Sequence, residues 1–208
     1  MVCKPKGNFI FEGMATKSKK NSPRKEVILE KAAHLFRKHG FNATSMRDLA
    51  ENVGVEAASL YNHINSKAEL LQEICFKIAN KFTEFMDGVI ATDNSAIEKI
   101  EAILRFHIRQ MLHNYEEVYV SDREWKHLTD PYLSNFKNQR RTHRQRIASI
   151  IEEGINKNEI KNIDAPTAVL ILLHAVSGIE SWHRSREKIS GEKLEENMVL
   201  ILVEGLRK

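Results

Sequence analysis

The sequence predicts an all-α protein of about nine helices, and three observations support this fold class. Apolar residues recur along most of the chain at the i, i+4 and i+7 spacing of amphipathic helices. No stretch sustains the alternation of apolar and polar residues that marks a strand. The 208 residues include only four prolines and nine glycines, few for a sheet protein with many tight turns.

Charge divides the chain into a basic first third and a slightly acidic remainder. Residues 1–67 contain 12 Lys and Arg against 6 Asp and Glu, a balance of +6, whereas residues 68–208 contain 20 against 22. Residues 1–22 are rich in lysine and lack a helical period, so we expect a disordered basic arm. The asymmetry favours a polyanion partner for the N-terminal part, although a merely solvated tail would have the same composition.

The first two helices follow this arm. SPRKEVILEKAAHLFRKHG repeats apolar residues at helical spacing, with Pro23 in its first turn and Gly40 at its end. TSMRDLAENVG begins at an N-cap, either Thr44 or Ser45, and stops at Gly54. A third, short helix, EAASLYNHI, comes directly after it.

A long helix then opens at SKAEL, where Ser66 and Glu69 form a capping box, with each side chain expected to bind the other's backbone amide. Five further helices are predicted in the remainder of the chain. Two of them open at an Asp N-cap followed by Pro, at Asp130 and Asp164. The five segments are IEKIEAILRFHIRQML, EEVYVSDREWKHL, residues 131–156, residues 165–183 and residues 191–206.

Two short helices joined by a turn that contains glycine form the helix-turn-helix pattern, whose second helix enters the DNA major groove. If Leu60 of that helix faces inward, a rotation of 100° per residue turns Ile64 inward as well. Ala58 and Asn62 then point outward, with Ser59 beside them. Small Ala and Ser side chains allow close approach to the groove, and Asn can pair with an adenine edge.

Phosphate contacts are expected from the margins of this ridge. Tyr61 and His63 flank it, and Lys67 follows at the start of the next helix. Thr44 and Ser45 offer hydroxyls and amides to another phosphate. The alternative is a helical hairpin whose polar face is only solvated.

The segment ILEKAAHLFRKHGFNATSMRDLAENVGVEAASLYNHINSKAELL resembles the DNA-binding domain of the TetR family of bacterial transcriptional regulators. The resemblance covers about residues 24–71. It implies a homodimer, a helical ligand-binding C-terminal domain, and repression that is usually released by ligand. It also implies that Tyr61 and Lys67 contact phosphates. Glu56 departs from the family pattern, as does Ile64, which replaces the more usual Phe.

The resemblance implies three parts: the arm at residues 1–22, a DNA-binding domain at 23–68, and a ligand-binding and dimerisation domain at 69–208. The order of elements in the last part is similar to the branch of acyl-CoA-responsive regulators of fatty-acid and sterol breakdown. A small hydrophobic or acyl-CoA-type effector is therefore expected. The expected partners are a double-stranded DNA operator and a second copy of the chain, bound through the last two helices.

One apolar stripe of the helix after Asp130 passes through Arg140 and His143. An inward-facing arginine is costly unless it is paired or solvated, and an anionic ligand in a pocket would resolve this. The alternative is an exposed segment paired with acidic residues elsewhere. His107 and Met111 share an inward stripe on an earlier helix and are candidates for the same pocket, although residues at such positions are more often plain core than ligand contacts.

Other functions find weaker support in the sequence. It contains no Gly-rich phosphate loop and no H-E-x-x-H motif, so no enzyme and no cofactor are expected. Two E-x-x-H motifs, at Glu124 and Glu180, leave a di-iron bundle as a remote alternative. A DNA-binding regulator that responds to a protein partner is a further one. Two cysteines and the lack of a signal peptide or an apolar run of about 20 residues indicate the cytoplasm and no membrane.

Overall fold

The computed structural model describes residues 23–62, 64–185 and 189–208. Within these ranges the chain forms ten α-helices and one 3-10 turn, with no strand, so the all-α prediction is confirmed. The prediction of about nine helices agrees when the two helices on either side of Gly178 are counted as one interrupted helix. The elements are α1 Pro23–His39, α2 Met46–Val53, α3 Ala57–Tyr61, α4 Lys67–Ile90, α5 Ala96–His113, α6 Tyr115–Arg123, the 3-10 turn Trp125–His127, α7 Tyr132–Asn156, α8 Ala165–Ser177, α9 Ile179–Arg184 and α10 Gly191–Leu206.

Most of the predicted helix ends are confirmed. Gly40 and Gly54 have φ of +83° and +78°, the left-handed conformation that glycine adopts without a steric penalty. Ser45, rather than Thr44, caps α2, since its hydroxyl accepts a hydrogen bond from the amide of Asp48. The basic arm expected at residues 1–22 lies outside the described residues.

Two predicted caps differ in detail from the structure. The hydroxyl of Ser66 accepts from the amide of Glu69 as expected, but the carboxylate of Glu69 binds the backbone and side-chain amides of Asn65 instead of the Ser66 amide. Asp130 lies one residue before the N-cap position of α7, and its carboxylate accepts from the amide and hydroxyl of Ser134. Both carboxylates still satisfy backbone amides at a helix start.

Two hydrophobic clusters form the interior. The first joins α1, α2, α3 and the first half of α4 to the end of α6 and the start of α7, through Val120, Leu128 and Phe136. The second joins the rest of α4 to α5, α7, α8 and α10. Helix α4 therefore contributes to both clusters. The expected boundary at residue 68 falls in its first turn, and the first cluster continues beyond that point.

The α8–α9 segment, Ala165–Arg184, is long and apolar enough to cross a membrane, judged by length and composition alone. This finding corrects the expectation from the sequence that the chain contains no apolar run of about 20 residues. One such segment is weak evidence for a membrane, because the core helix of a soluble protein passes the same test. One face of α8 packs into the second cluster, whereas Leu170 and Ile171 on its other face are 56% and 57% exposed.

Candidate DNA-binding surface and effector cavity

The short helix α3 presents the outward ridge that its periodicity predicts. Leu60 and Ile64 are buried, whereas Ala58 and Asn62 are exposed and Tyr61 is 52% exposed. Ser59 lies between the two sides and is half-buried. The ridge is therefore free of intramolecular packing and is available to a partner. His63, also predicted to flank it, lies outside the described residues.

Thr44 and Ser45 have different environments at the start of α2. The Thr44 side chain is 2% exposed, and its hydroxyl donates to the Gly40 carbonyl at 2.9 Å. The group is buried and already paired, so the predicted phosphate contact of this hydroxyl would require it to leave the Gly40 carbonyl. Ser45 is exposed, but its hydroxyl exchanges hydrogen bonds with Asp48.

Lys67 is tied into the loop between α1 and α2. Its ammonium group donates to the carbonyls of Phe41, Thr44 and Asn42 at 2.7, 2.8 and 3.3 Å. The same ammonium lies 4.4 Å from the centroid of the Phe41 ring, in cation–π geometry. Lys67 thus has a full set of internal partners, which sequence reasoning did not anticipate.

Phe41 also connects the DNA-binding half to the rest of the molecule. Its amide donates to the carboxylate of Glu124 at 3.1 Å, and its ring stacks on the imidazole of His127 with centroids 5.3 Å apart. Glu124 and His127 are the first E-x-x-H motif, so this motif fastens the α1–α2 loop. No spacing in the sequence signals this contact.

The second E-x-x-H motif also has structural partners. Glu180 pairs with Arg123 and Arg184, and the Nε2 atom of His183 lies 2.7 Å from the carbonyl oxygen of Met111. Across the part of the chain that the structure describes, no three His, Cys, Asp or Glu side chains are grouped to hold a metal. The di-iron alternative therefore finds no support in the geometry.

A cavity of about 360 Å³ lies among the helices from α4 to α9. This volume is within the range of small-molecule sites in proteins. All four residues predicted as ligand contacts, His107, Met111, Arg140 and His143, line it. Its apolar lining is Ile78, Ala79, Phe82, Met111, Val118, Phe136, Leu170, Leu173 and Val176, and its polar lining includes Thr83, Tyr119, Ser121, Asp122, Arg123, Gln139, Arg144, His174, Ser177 and Glu180.

His107 and His143 form a hydrogen-bonded pair in the cavity wall. Their Nε2 atoms are 3.0 Å apart, and the edge of Phe82 packs against both rings. Burial lowers the pKa of His107 well below its usual value, with a further contribution from His143. Burial and the nearby guanidinium groups, that of Arg146 first, lower the pKa of His143 to about 4. Both rings are therefore neutral near pH 7.

The protonation of this pair predicts a dependence of stability on pH. Both pKa values are lower in the folded chain than in the unfolded one, so the unfolded chain binds more protons as the pH falls below about 6.5. The stabilisation that the neutral pair provides is therefore fully present above that pH. The free energy of unfolding decreases as the pH falls below it. For His143 alone, the loss is roughly 1 kcal/mol at pH 5.5. Urea unfolding at pH 7.5 and 5.5 measures it.

The His143→Phe variant is the matched control, because it removes one titrating group and retains an aromatic ring. We expect its stability to change less between the two pH values than that of the parent protein. An equal change in the two proteins would show that His143 does not contribute to the pH dependence in this range.

Arg140 is both a cavity residue and one half of an ion pair. Its guanidinium lies 2.6 Å from the carboxylate of Asp122 on α6. It also packs 5.9 Å from the ring of Trp125 and 5.8 Å from that of Phe136. Arg140 therefore fits both interpretations made from the sequence, because it lines the cavity and is also ion-paired. Arg144, one turn later on α7, is exposed and has no ion-pair partner among the described residues.

Comparison with known proteins agrees with this architecture. The family described as "Bacterial regulatory proteins, tetR family" matches residues 28–74, and the family described as "Tetracyclin repressor-like, C-terminal domain" matches residues 93–206. The chain is 22% identical over 185 residues to the HTH-type transcriptional repressor KstR2 of Mycolicibacterium smegmatis, covering 88% of this chain and 90% of the relative. KstR2 of Mycobacterium tuberculosis is 24% identical over 191 residues, covering 90% and 94%.

Solved structures show the same fold. The ketosteroid transcriptional regulator KstR2 of Mycobacterium tuberculosis superposes with a TM-score of 0.82 at 21% identity, covering 90% of this chain and 96% of that one. AibR in complex with isovaleryl coenzyme A and operator DNA gives a TM-score of 0.76 at 24% identity, covering 86% and 98%. The matched family ranges include the outward ridge of α3 and the cavity residues that follow α4. The chain belongs to the TetR family of bacterial transcriptional regulators.

Proposed function

We propose that this protein is a repressor that binds a double-stranded DNA operator and releases it when a small amphipathic effector of acyl-CoA type enters the cavity. The observation that carries this proposal is an apolar cavity with Arg140 in its wall and Arg144 beside it. An arginine fork binds carboxylate and phosphate oxygens in bidentate geometry, and the apolar walls suit an acyl group. The repressors named KstR2, and AibR with isovaleryl coenzyme A and operator DNA, support it.

For the DNA-binding half, we infer that Ala58, Ser59 and Asn62 face base edges. Tyr61 and His63 then contact phosphates, together with Thr44 and Ser45 at the start of α2, where the Ser45 amide and hydroxyl would have to leave Asp48. We retain the division into residues 1–22, 23–68 and 69–208 as part of this proposal. If Lys67 contacts a phosphate, its ammonium group has to leave at least one of its carbonyl partners.

Two variants test this surface. Tyr61→Phe removes one hydroxyl from a side chain that is 52% exposed, and we expect operator affinity to fall about fivefold on every sequence, since a phosphate contact carries no base information. Asn62→Ala is expected to reduce the preference for the operator over a mutated site by about 1–3 kcal/mol. Gel shifts with operator and altered sites measure both.

Tyr132→Phe is the matched control, because Tyr132 is 41% exposed at the start of α7 and belongs to no part of the proposed surface. Wild-type affinity and wild-type sequence preference in both the Tyr61 and the Asn62 variants would contradict the docking of α3 in the groove.

We infer that a homodimer forms through the last helices. On α8, Leu170 and Ile171 are more than half exposed, and on α10 Leu200 and Ile201 are 61% and 70% exposed. Large apolar side chains exposed to this extent are typical of oligomer interfaces. A two-fold dimer would separate the two α3 ridges by about 34 Å, one turn of DNA. A regulator of this kind works in the cytoplasm and needs no catalytic group.

The effector is tested by titrating isovaleryl, decanoyl and free coenzyme A against the protein. We expect at least one thioester to raise the melting temperature and to dissociate the operator complex at the same concentration, whereas free coenzyme A does less. Stabilisation without DNA release would contradict ligand-controlled repression. No stabilisation by any thioester would favour the second candidate, a DNA-binding regulator controlled by a protein partner.

A further inference from the structure

The cavity wall contains uncharged polar groups that the fold leaves without partners. A neutral imidazole has one N–H and one bare nitrogen, so the bond between the Nε2 atoms of His107 and His143 uses one of each. The two Nδ1 atoms are then one donor and one acceptor. Neither forms a hydrogen bond with any group in the described part of the chain. The pair therefore retains the ability to donate one hydrogen bond and to accept another.

Two neighbouring groups add further hydrogen-bonding capacity. Gln139 lies one helical turn before His143 on α7, so both side chains are on the same face of that helix. Its amide nitrogen donates to Asn80 at 3.1 Å, but its buried Oε1 atom accepts no hydrogen bond from the described residues. Ser121 on α6 is 3% exposed in the same wall, and its hydroxyl is also without a described partner.

We propose that the effector carries a hydroxyl group on its apolar body, and that this hydroxyl is recognised by the His107–His143 pair together with Gln139. The inference rests on the effector cavity proposed above and specifies its ligand class further. A hydroxyl both donates and accepts, which matches an imidazole donor and an amide acceptor. A keto group only accepts and would leave the Gln139 oxygen unpaired. An ammonium group would be repelled by Arg140 and Arg144.

The hydroxyl would lie near the anionic part of the ligand. Gln139 and His143 are spaced i, i+4 on α7, and Arg140 and Arg144 are spaced in the same way one position further on. The stripe of Gln139 and His143 and the stripe of Arg140 and Arg144 are about 100° apart on α7, so the uncharged polar groups lie beside the cationic ones. Burial in an apolar wall makes such a contact selective, because a ligand without the hydroxyl leaves the desolvated groups unpaired.

Calorimetry with matched thioesters tests this proposal. The probes are decanoyl coenzyme A, its 2-, 3- and 10-hydroxy derivatives, and 3-oxodecanoyl coenzyme A. We expect the 2-hydroxy or the 3-hydroxy probe to bind tenfold or more tightly than decanoyl coenzyme A, and the 10-hydroxy and keto probes to show no such gain. In Gln139→Met and in His143→Phe, the preference should fall to less than threefold.

Asn80→Ala is the control, because it removes the partner of the Gln139 nitrogen and leaves the oxygen in place. It should retain the preference. Binding of all probes within threefold of one another would overturn the inference while the proposed effector class stands. Persistence of the preference in both cavity variants would also overturn it. If no thioester binds at all, the effector proposal itself fails and this inference fails with it.

Discussion

Replacement of Lys67 by methionine will lower the stability of the protein and disable operator binding together. The ammonium group holds three carbonyls of the α1–α2 loop at 2.7 to 3.3 Å, and methionine of similar length leaves these acceptors without a donor. Loss of hydrogen bonds to a charged group costs roughly 2 kcal/mol. For a chain of this size we expect a decrease of about 4–8 °C in the melting temperature.

Operator affinity should fall at least tenfold in the same variant, because the loop that Lys67 holds sets the start of α2 and hence the position of α3. The salt dependence of binding separates this from a direct phosphate contact. A lost phosphate contact would reduce the slope of log K against log salt by about one and leave the melting temperature unchanged. That outcome would show that Lys67 leaves the loop and binds DNA, as the family resemblance implies.

Lys38→Met is the matched control for this experiment. Lys38 is exposed near the end of α1 and has no ion pair within the described ranges. We expect a wild-type melting temperature from it. Any decrease of several degrees in this variant would mean that removal of charge alone, and not loss of the internal contacts of Lys67, destabilises the domain.

The Arg140→Ala variant will lose most of its response to the effector while it retains operator affinity. Arg140 is the cavity cation whose only ion-pair partner among the described side chains, Asp122, is 40% exposed, so an anionic ligand group can compete for it. A charge-assisted contact contributes about 1.5–3 kcal/mol, so we expect effector affinity to fall about 10- to 100-fold. Calorimetry with an acyl-CoA and a gel shift without it measure the two quantities.

Two companion variants sharpen this prediction. Asp122→Asn removes the internal competitor and should strengthen effector binding. Arg141→Ala is the control, since Arg141 is exposed, bonds to Asn138 and is not part of the cavity lining. Effector affinity equal to wild type in Arg140→Ala would remove Arg140 from the site. Reduced operator affinity without effector would indicate that its packing on Trp125 and Phe136 also supports the fold.

Short-range geometry explains what could be predicted from the sequence. Leu60 and Ile64 face inward and Asn62 outward because helical rotation alone decides this, and the positions of Gly40 and Gly54 follow from local backbone preference. The stripe that contains Arg140 and His143 was visible for the same reason. The residues that line the cavity were thus accessible to sequence reasoning where they repeat along one helix.

Contacts between distant segments could not be predicted in this way. Thr44 and Ser45 are both suitable N-caps by residue type, and the bond of the Thr44 hydroxyl to the end of α1 leaves Ser45 to cap α2. The Phe41–Glu124 bond joins residues 83 positions apart, and no periodicity encodes such a pair. Pairing of Gln139 with Asn80 and of His107 with His143 likewise depends on how α7 packs against α4 and α5.

The segment from Val118 to His127 also limits how the effector range of this protein can change during evolution. Val118, Ser121 and Asp122 line the cavity, while Glu124 and His127 fasten Phe41 in the DNA-binding half. Substitutions in this segment that reshape the cavity also disturb the loop before α2, and therefore the operator. New ligand preferences can arise with fewer side effects through α5, whose cavity residues make no such contact with the α1–α2 loop.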